Sequence, residues 1–195
     1  MRKLFLHIIM SLDGFIEDRD KQLDWQLDDA EFESYINGVL RSIDGMVFGR
    51  KAFELLAGYW PTAAANPSAA ADPSSPERHI EAAHMMNALP KYVVSNTLKT
   101  TEWNNSHIIS GDVKAEITKL KQQPGKDIAL FAGANVATSF TKLGLVDEFR
   151  IIVNPVLLGD GTPLFQGGYD KLGLELVETR KFQAGAMLLT YRPKG

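Results

Sequence analysis

The sequence IALFAGANVATSF, residues 128–140, contains the end of a strand and the start of a helix. Its first four residues form a continuous apolar run, which is typical of a strand that is covered on both faces. Three small residues, 132–134, interrupt the run, and a helix then begins at Asn135 and ends before Gly144. Because small residues leave the backbone accessible, either a neighbouring strand or a phosphate-bearing ligand can approach it here.

The same alternation of strand and helix continues through residue 153. It predicts an α/β fold of three layers, with a mostly parallel central sheet and helices on both faces. Two final β-rich runs, joined at Ala184-Gly185, predict an antiparallel C-terminal hairpin. No internal repeat or domain boundary is visible, and we expect a single domain over residues 1–195. We interpret residues 11–25 as a loop. The predicted strands are residues 4–10, 46–48, 91–95, 106–109, 128–131, 148–153, 174–182 and 187–192, and the predicted helices are residues 29–42, 50–58, 77–89, 113–122 and 135–143.

The composition excludes several classes of protein. The 21 Lys and Arg and 24 Asp and Glu residues give a net charge of −3, and no stretch is basic enough to bind nucleic acid. The absence of cysteine excludes disulfides, thiolate zinc sites and cysteine nucleophiles, and the four scattered histidines predict no metal site. No apolar run approaches the roughly 20 residues of a membrane span, and residues 4–10 are a strand, not a signal peptide. We therefore expect a cytoplasmic protein without a nucleic-acid or membrane partner.

Several polar or small residues follow the predicted strands, and in an open α/β sheet ligands bind beyond the carboxyl ends of the strands. Two strands run directly into helices, at Gly49 and at Gly133, and helix N-termini favour anions by roughly 0.3–1 kcal/mol when exposed. Arg50 adds a guanidinium group, and Ser95 and Asn96 add hydrogen-bond donors. Each feature alone is also explained by a turn, a helix cap or a solvated charge, and the GxGxxG fingerprint is absent. Together the features favour a phosphorylated dinucleotide with its diphosphate between two helix starts.

Four motifs, SLDGFI, GRKAFE, AGANVATSF and LGLVDEFRIIVNPVLLGDGTPLF, occur in this order along the chain. They resemble the dihydrofolate-reductase-like family. The resemblance is closest to its riboflavin-biosynthesis branch, the reductase domain at the C-terminus of the bifunctional pyrimidine deaminase-reductase, and to stand-alone bacterial relatives of that domain. The zinc-deaminase signature is absent, so the resemblance concerns the reductase half alone.

This resemblance implies NADPH binding and hydride transfer. It also implies a homodimer, and we expect the apolar stretch PVLLGDGTPLF, residues 155–165, to pack against the partner. It leaves open whether the Gly133-Ala134 peptide bond is cis. By the resemblance, Asp13 and Gly14 shape a loop over the nicotinamide, and the cofactor-binding residues are Ile9, Ile16, Gly49, Arg50, Lys51, Ser95, Asn96, Gly133, Ala134, Asn135 and Val136.

The substrate must lie against the nicotinamide in a slot that is open on one side. Trp25, Phe32, Tyr59 and Trp60 are candidates to hold a flat heterocycle, although core packing also explains such residues. Reduction of a C=N or C=O group needs a proton donor, and the candidates are Glu33, Asp13 and solvent. By the resemblance, Glu33 occupies the place of the acid on the first helix of dihydrofolate reductases.

The sequence thus predicts an NADPH-dependent reductase of a small heterocycle. The substrate is pyrimidine-like, as in 5-amino-6-(5-phosphoribosylamino)uracil reductase, or pterin-like. The alternative is an NADP(H)-binding regulatory or sensor domain without turnover, because Ala52 stands where the family often has Thr. A domain without a cofactor is a third possibility. Residues 61–76, rich in Ala, Pro and Ser, are either a lid or an inert insertion.

Overall fold

The chain alternates strands and helices in a computed structural model that describes residues 1–66 and 76–194. The strands are β1 (Leu4–Ser11), β2 (Phe15–Asp18), β3 (Ile43–Gly49), β4 (Lys91–Val94), β5 (Ser106–Ile109), β6 (Asp127–Phe131), β7 (Glu148–Asn154), β8 (Gly161–Pro163), β9 (Leu174–Lys181) and β10 (Met187–Pro193). The helices are α1 (Ala30–Arg41), α2 (Arg50–Ala57), α3 (Trp60–Ala63), α4 (Pro76–Ala88), α5 (Val113–Gln122) and α6 (Ala134–Lys142).

Eight strands form one central sheet in the order β5-β4-β3-β6-β1-β7-β10-β9. The six strands from β5 to β7 are parallel, whereas β10 pairs antiparallel with β7 and with β9. The predicted α/β fold, with a mostly parallel sheet and an antiparallel C-terminal hairpin, is therefore confirmed. Because β4, β3, β6 and β1 are parallel neighbours, their carboxyl ends meet at one edge of the sheet, where a ligand can bind.

The two faces of the sheet are covered by different helices, because successive side chains of a strand point to opposite faces. Leu4 and Leu6 of β1 belong to the same buried cluster as Phe140 of α6. Phe5, between them, belongs to a second cluster with Phe53 of α2. Each fully buried side chain of this kind contributes roughly 1.5–3 kcal/mol to stability. The three predicted layers are therefore α5 and α6, the sheet, and α1, α2 and α4.

The prediction of a loop over residues 11–25 is wrong in its first part. Phe15–Asp18 forms β2, which pairs antiparallel with β8 in a separate two-stranded sheet. Gly161 allows this pairing, since a Cβ at that position would lie 2.2 Å from the carbonyl oxygen of Glu17. Glu17 and Thr162 lie 145 positions apart, and therefore no local pattern indicates the pairing.

Three other expectations concern the proposed lid, the Gly133-Ala134 peptide bond and membrane-spanning helices. Residues 61–66 of the proposed lid form most of α3 and a turn, and residues 67–75 lie outside the described part of the chain. All described peptide bonds are trans, including Gly133-Ala134. None of the helices in the described ranges combines the length and the apolar character that a membrane crossing needs.

The stretch that was expected to face a partner subunit is only partly exposed. Leu164 is fully buried in the core of its own chain, whereas Leu157 is 70% and Phe165 40% exposed. The homodimer stays a prediction.

Candidate active site

Helices α2 and α6 begin side by side at the carboxyl edge of the sheet. β3 and β6 are parallel neighbours with Phe48 opposite Phe131, so Gly49 and Gly133 follow at the same edge. A Cβ built on Gly49 would lie only 2.6 Å from Cγ2 of Val136, in the first turn of α6. The two glycine-led helix starts that the sequence predicts therefore lie in direct contact.

Neither of these helix starts has a side-chain cap. The other two long helices with a defined start carry aspartate caps: Asp29 Oδ1 accepts from Phe32 N at 2.8 Å in α1, and Asp112 Oδ1 accepts from Ala115 N at 3.0 Å in α5. In α2 and α6 no such bond is present, and neither first turn contains an acidic residue. The backbone N–H groups and the positive ends of both helix dipoles thus remain available to an anion.

The surface in front of α6 has room for a ligand. A Cβ added to Gly133 would meet no atom within 4 Å, and the residue is exposed. Asn135 is also exposed, whereas Ala134 is buried in the core and Val136 is half-buried against Gly49. Nothing in the packing of the chain itself requires a glycine at position 133, which is consistent with close approach by another molecule.

Two cations stand at the first turn of α2. Arg50 and Lys51 are exposed, and the only ion pair found for Arg50 in the described part of the chain is a loose one, with its Nε 3.8 Å from Oε1 of Glu54. An exposed pair of this kind contributes little, at most about 1 kcal/mol. Arg50 can therefore turn to a phosphate group without losing a strong internal contact, and Lys51 stands exposed beside it.

Ser95 and Asn96 follow β4, whose Val94 lies opposite Gly49. Ser95 Oγ accepts from Leu98 N at 2.9 Å, and Asn96 Oδ1 accepts from Gly111 N at 3.3 Å. Both side chains shape the loops beside the helix starts. Two uncapped helix starts, open space at Gly133 and two exposed cations together fit the phosphate groups of a dinucleotide.

A cavity of about 480 Å³ lies beside α1 and includes Ile9 of β1 in its wall. Three of the four predicted substrate residues, Phe32, Tyr59 and Trp60, line it. Trp25 does not line the cavity, because its indole N–H is turned to the carbonyl oxygen of Gln22, at 3.1 Å. The other lining residues are Leu23, Asp24, Gln26, Leu27, Asp28, Glu33, Ile36, Asn37, His79 and Ala82.

A second cavity, of about 540 Å³, lies between α2 and residues 100–103. None of the residues that the sequence predicts for the cofactor or the substrate lines it. The smaller cavity is therefore the candidate substrate site.

One wall of the candidate substrate site carries a chain of three polar groups. Tyr59 Oη lies 2.9 Å from Nε2 of His79, and Nδ1 of His79 lies 3.7 Å from Oε1 of Glu33. Glu33 and His79 are buried, whereas Tyr59 is 38% exposed. Partial burial and the carboxylates of Asp28 and Glu33 raise the pKa of Tyr59, so that its hydroxyl keeps its proton. Trp60 stacks on the imidazole of His79, with 5.9 Å between the ring centroids.

Asp28 and Asn37 add polar atoms to the same site. Desolvation and the neighbouring Asp29 carboxylate raise the pKa of Asp28, although its side chain is exposed at the cavity edge. Asn37 is fully buried, and its Nδ2 donates to the carbonyl oxygen of Arg78 at 2.9 Å. From the sequence, either Asp28 or Asp29 is expected to cap the first helix, and His79 is given no role. Glu33 and Asn37 are four residues apart on α1 and so lie on the same face of the helix. This spacing is the only signal in the sequence that could have indicated a polar wall.

Asp13, the other candidate proton donor, is not among the lining residues. Its Oδ1 accepts from the Ser11 hydroxyl at 2.6 Å, and its Oδ2 accepts from Gly159 N at 2.8 Å. The Ser11 hydroxyl, followed by these backbone donors, lowers the pKa of Asp13. The carboxylate thus ties the loop after β1 to the loop after β7, and its role in proton transfer stays a prediction. Ile16, also predicted to contact the cofactor, is buried in the core.

Known proteins resemble the chain over its full length. The sequence model of the RibD C-terminal domain family matches residues 2–188. The uncharacterized protein YyaP of Bacillus subtilis strain 168 is 35% identical over all of this chain and 96% of its own length. A Shewanella sp. PV-4 protein named for riboflavin biosynthesis has a TM-score of 0.76 at 22% identity, with 99% of each chain covered. Dihydrofolate reductase of Enterococcus faecalis, solved in complex with NADP(H), has a TM-score of 0.62 at 15% identity, over 99% of this chain and 97% of that one.

Proposed function

The chain belongs to the RibD C-terminal domain family, and on that premise we propose that it is an NADPH-dependent reductase of a small, flat heterocycle. The observation that carries the proposal is the contact between Gly49 and Val136, which joins two uncapped helix starts beside an aromatic cavity. A dinucleotide needs such a diphosphate site, and hydride transfer needs a ring site next to it.

The cofactor lies along the carboxyl edge of the sheet. Backbone N–H groups at the starts of α2 and α6 hold its diphosphate, and the exposed face of Gly133 allows the close approach. Arg50 and Lys51 hold its additional phosphate, for which a guanidinium group is well suited. When bound, NADPH supplies a hydride ion to the substrate.

The substrate ring occupies the cavity between Phe32 and Trp60. Ile9 lies in the wall that belongs to the sheet, so that the cavity reaches toward the cofactor edge. Aromatic and aliphatic walls favour a flat ring and exclude water, and pyrimidine-like and pterin-like rings both meet these requirements. 5-Amino-6-(5-phosphoribosylamino)uracil and pterins are therefore the first compounds to test.

The proton that completes the reduction comes from Tyr59. Its hydroxyl is the exposed end of the chain that continues through His79 to Glu33. His79 orients the hydroxyl, and a hydrogen bond from its Nε2–H stabilises the phenolate that is left when the proton passes to the substrate. The Glu33 carboxylate lies on the Nδ1 side of the same ring, and solvent returns a proton to the exposed Tyr59 oxygen. A positioned acid of this kind contributes about 10²–10⁴-fold to the rate.

The first experiment measures binding of NADPH and NADH to the purified chain by calorimetry. NADPH must bind more tightly, and Arg50→Ala must weaken NADPH much more than NADH, because NADH lacks the additional phosphate. Arg19→Ala is a matched control, since Arg19 is an exposed arginine outside the site. Equal loss for both nucleotides would remove Arg50 from this role.

The second experiment measures NADPH oxidation with a panel of pyrimidines and pterins. Oxidation that depends on the added heterocycle supports the reductase. Tight NADPH binding without oxidation across the panel supports the regulatory or sensor domain instead. Absence of NADPH binding contradicts both.

A further inference from the structure

The charged groups that line the substrate cavity are distributed very unevenly. Asp24, Asp28 and Glu33 contribute three carboxyl groups, whereas none of the described lining residues is Lys or Arg. Arg78 precedes His79 on α4, but its side chain is not part of the lining. The lining within the described ranges therefore holds no lysine or arginine with which to balance a phosphate group.

The neighbouring cofactor edge has the opposite character. There two helix starts without acidic residues stand beside Arg50 and Lys51. Phosphate groups are held by arginine, lysine and helix N-termini, and like charges at close range are disfavoured. The cofactor edge thus favours a negatively charged group, whereas the substrate cavity favours a neutral or positively charged one.

A second observation concerns hydrogen bonding inside the cavity wall. Asn37 is only 1% exposed; its Nδ2 donates to the carbonyl oxygen of Arg78, and its Oδ1 has no hydrogen-bond partner among the described residues. A buried acceptor without a partner costs free energy unless a ligand or a water donates to it. Together with the carboxylates, it favours a ring that carries N–H donors.

A metal ion is the other usual partner of clustered carboxylates. No group of three His, Asp or Glu side chains in the described ranges is arranged to hold a metal ion. Asp24 and Asp28 are exposed at the cavity and can accept from organic cations or N–H groups.

We infer that the substrate is an unphosphorylated heterocycle, neutral or positively charged, that presents amino or protonated ring nitrogens to Asn37 and to the cavity carboxylates. This inference rests on the proposed function, because it concerns the ring site of the same reductase. It argues against a phosphoribosyl pyrimidine as the substrate of this chain. An amino-substituted ring without a phosphate fits both the charge and the acceptors.

The test uses three ring probes of nearly equal shape and different charge. Benzamidine is cationic, benzamide is neutral and benzoate is anionic. Their binding to the full chain is measured by ligand-observed NMR, with and without saturating NADPH. We expect benzamidine to bind at least about tenfold more tightly than benzoate, with benzamide between them. Each tenfold step corresponds to about 1.4 kcal/mol.

A matched pair of variants assigns this preference to the cavity. Asp24→Asn combined with Asp28→Asn removes two lining charges, and we expect it to reduce the preference for benzamidine at least about threefold. Asp20→Asn combined with Asp170→Asn removes the same charge from exposed positions outside the lining and should leave the preference unchanged. All four side chains are exposed, so these variants should fold.

Uridine and uridine 5′-monophosphate test the phosphate directly in the presence of saturating NADPH, which occupies the other anion site. We expect uridine to bind and its monophosphate to bind at least about tenfold more weakly. Monophosphate binding as tight as that of uridine, a benzoate affinity equal to that of benzamidine, or no binding of any probe overturns the inference. Failure of NADPH to bind contradicts the proposed function instead, and the order of the three ring probes is still measurable on the free chain.

Discussion

Gly49 and Val136 are in contact across two helix starts, and this contact sets how closely α2 and α6 approach each other. A Cβ on Gly49 would lie 2.6 Å from Cγ2 and 3.5 Å from Cβ of Val136. Valine is β-branched and has little freedom to turn away. Position 49 therefore has to be glycine for α2 and α6 to pack this closely. The same close packing brings the backbone N–H groups at the two helix starts together.

Gly49→Ala should destabilise the chain by about 1–3 kcal/mol, because the added methyl group overpacks the contact. It should also weaken NADPH binding, since the two helix starts must separate. Urea unfolding and calorimetry measure the two effects. In the double variant Gly49→Ala/Val136→Ala the clash is removed, and most of the stability should return. An unchanged unfolding free energy in the single variant would show that the contact does not constrain the helices.

Gly133→Asp should separate cofactor binding from stability. The new side chain enters open space and can cap α6, so the free energy of unfolding should stay constant or rise by up to about 1 kcal/mol. Its carboxylate occupies the proposed diphosphate site, and the NADPH affinity should fall at least about tenfold. Asn104→Asp is the charge-matched control, because Asn104 is exposed just before β5, at the amino edge of the sheet. NADPH affinity that survives Gly133→Asp argues against this site.

The fold could be predicted because its main signals are local. Strands such as β1 and β6 are continuous apolar runs, α1 and α5 begin at aspartate caps, and α2 and α6 end close to a glycine. The pair β2 and β8 could not be predicted, since each strand is only three or four residues long and the partners are far apart in sequence. The placement of Gly49 and Gly133 at one edge could be predicted, because parallel strands put them at the same end of the sheet.

The lining of the candidate substrate site was predicted only in part. Aromatic residues near the first helix and at Tyr59-Trp60 are visible as candidates in sequence. His79, in contrast, joins the site through the packing of α4 against α1, which no local pattern encodes. Asp28 and Asp29 both look like helix caps in the sequence; Asp29 is the cap, and this leaves Asp28 to the cavity. Roles that depend on which helices pack together cannot be inferred from the spacing of residues.

His7 should make the chain less stable in mild acid. Burial, followed by the charge of Arg150, lowers the pKa of His7 from 6.5 to about 3. Between these values the unfolded chain binds a proton that the folded chain refuses, so the free energy of unfolding falls as the pH falls. The loss is about 1.4 kcal/mol per pH unit once the unfolded histidine is protonated.

The measurement is urea unfolding between about pH 7 and pH 5, above the range in which carboxylates titrate. His7→Phe should flatten the slope, because it removes the titrating group and keeps a ring beside Tyr35 and Phe131. His84→Asn, at an exposed position of α4, should keep the slope of the parent. Equal slopes in the parent and in His7→Phe would mean that His7 is not the group responsible.

Tyr59→Phe should slow turnover without affecting cofactor binding. Phenylalanine keeps the ring that lines the cavity and removes the hydroxyl that lies 2.9 Å from Nε2 of His79. We expect kcat to fall about 10²-fold or more, because the positioned acid is lost, while the Kd for NADPH stays constant.

Glu33→Gln should lower kcat as well and should shift its pH profile, since it removes the charge next to Nδ1 of His79. Tyr169→Phe, outside the lining, is the matched control. If kcat in Tyr59→Phe equals that of the parent over the whole pH range, the proton comes from solvent and the polar chain on this wall is structural.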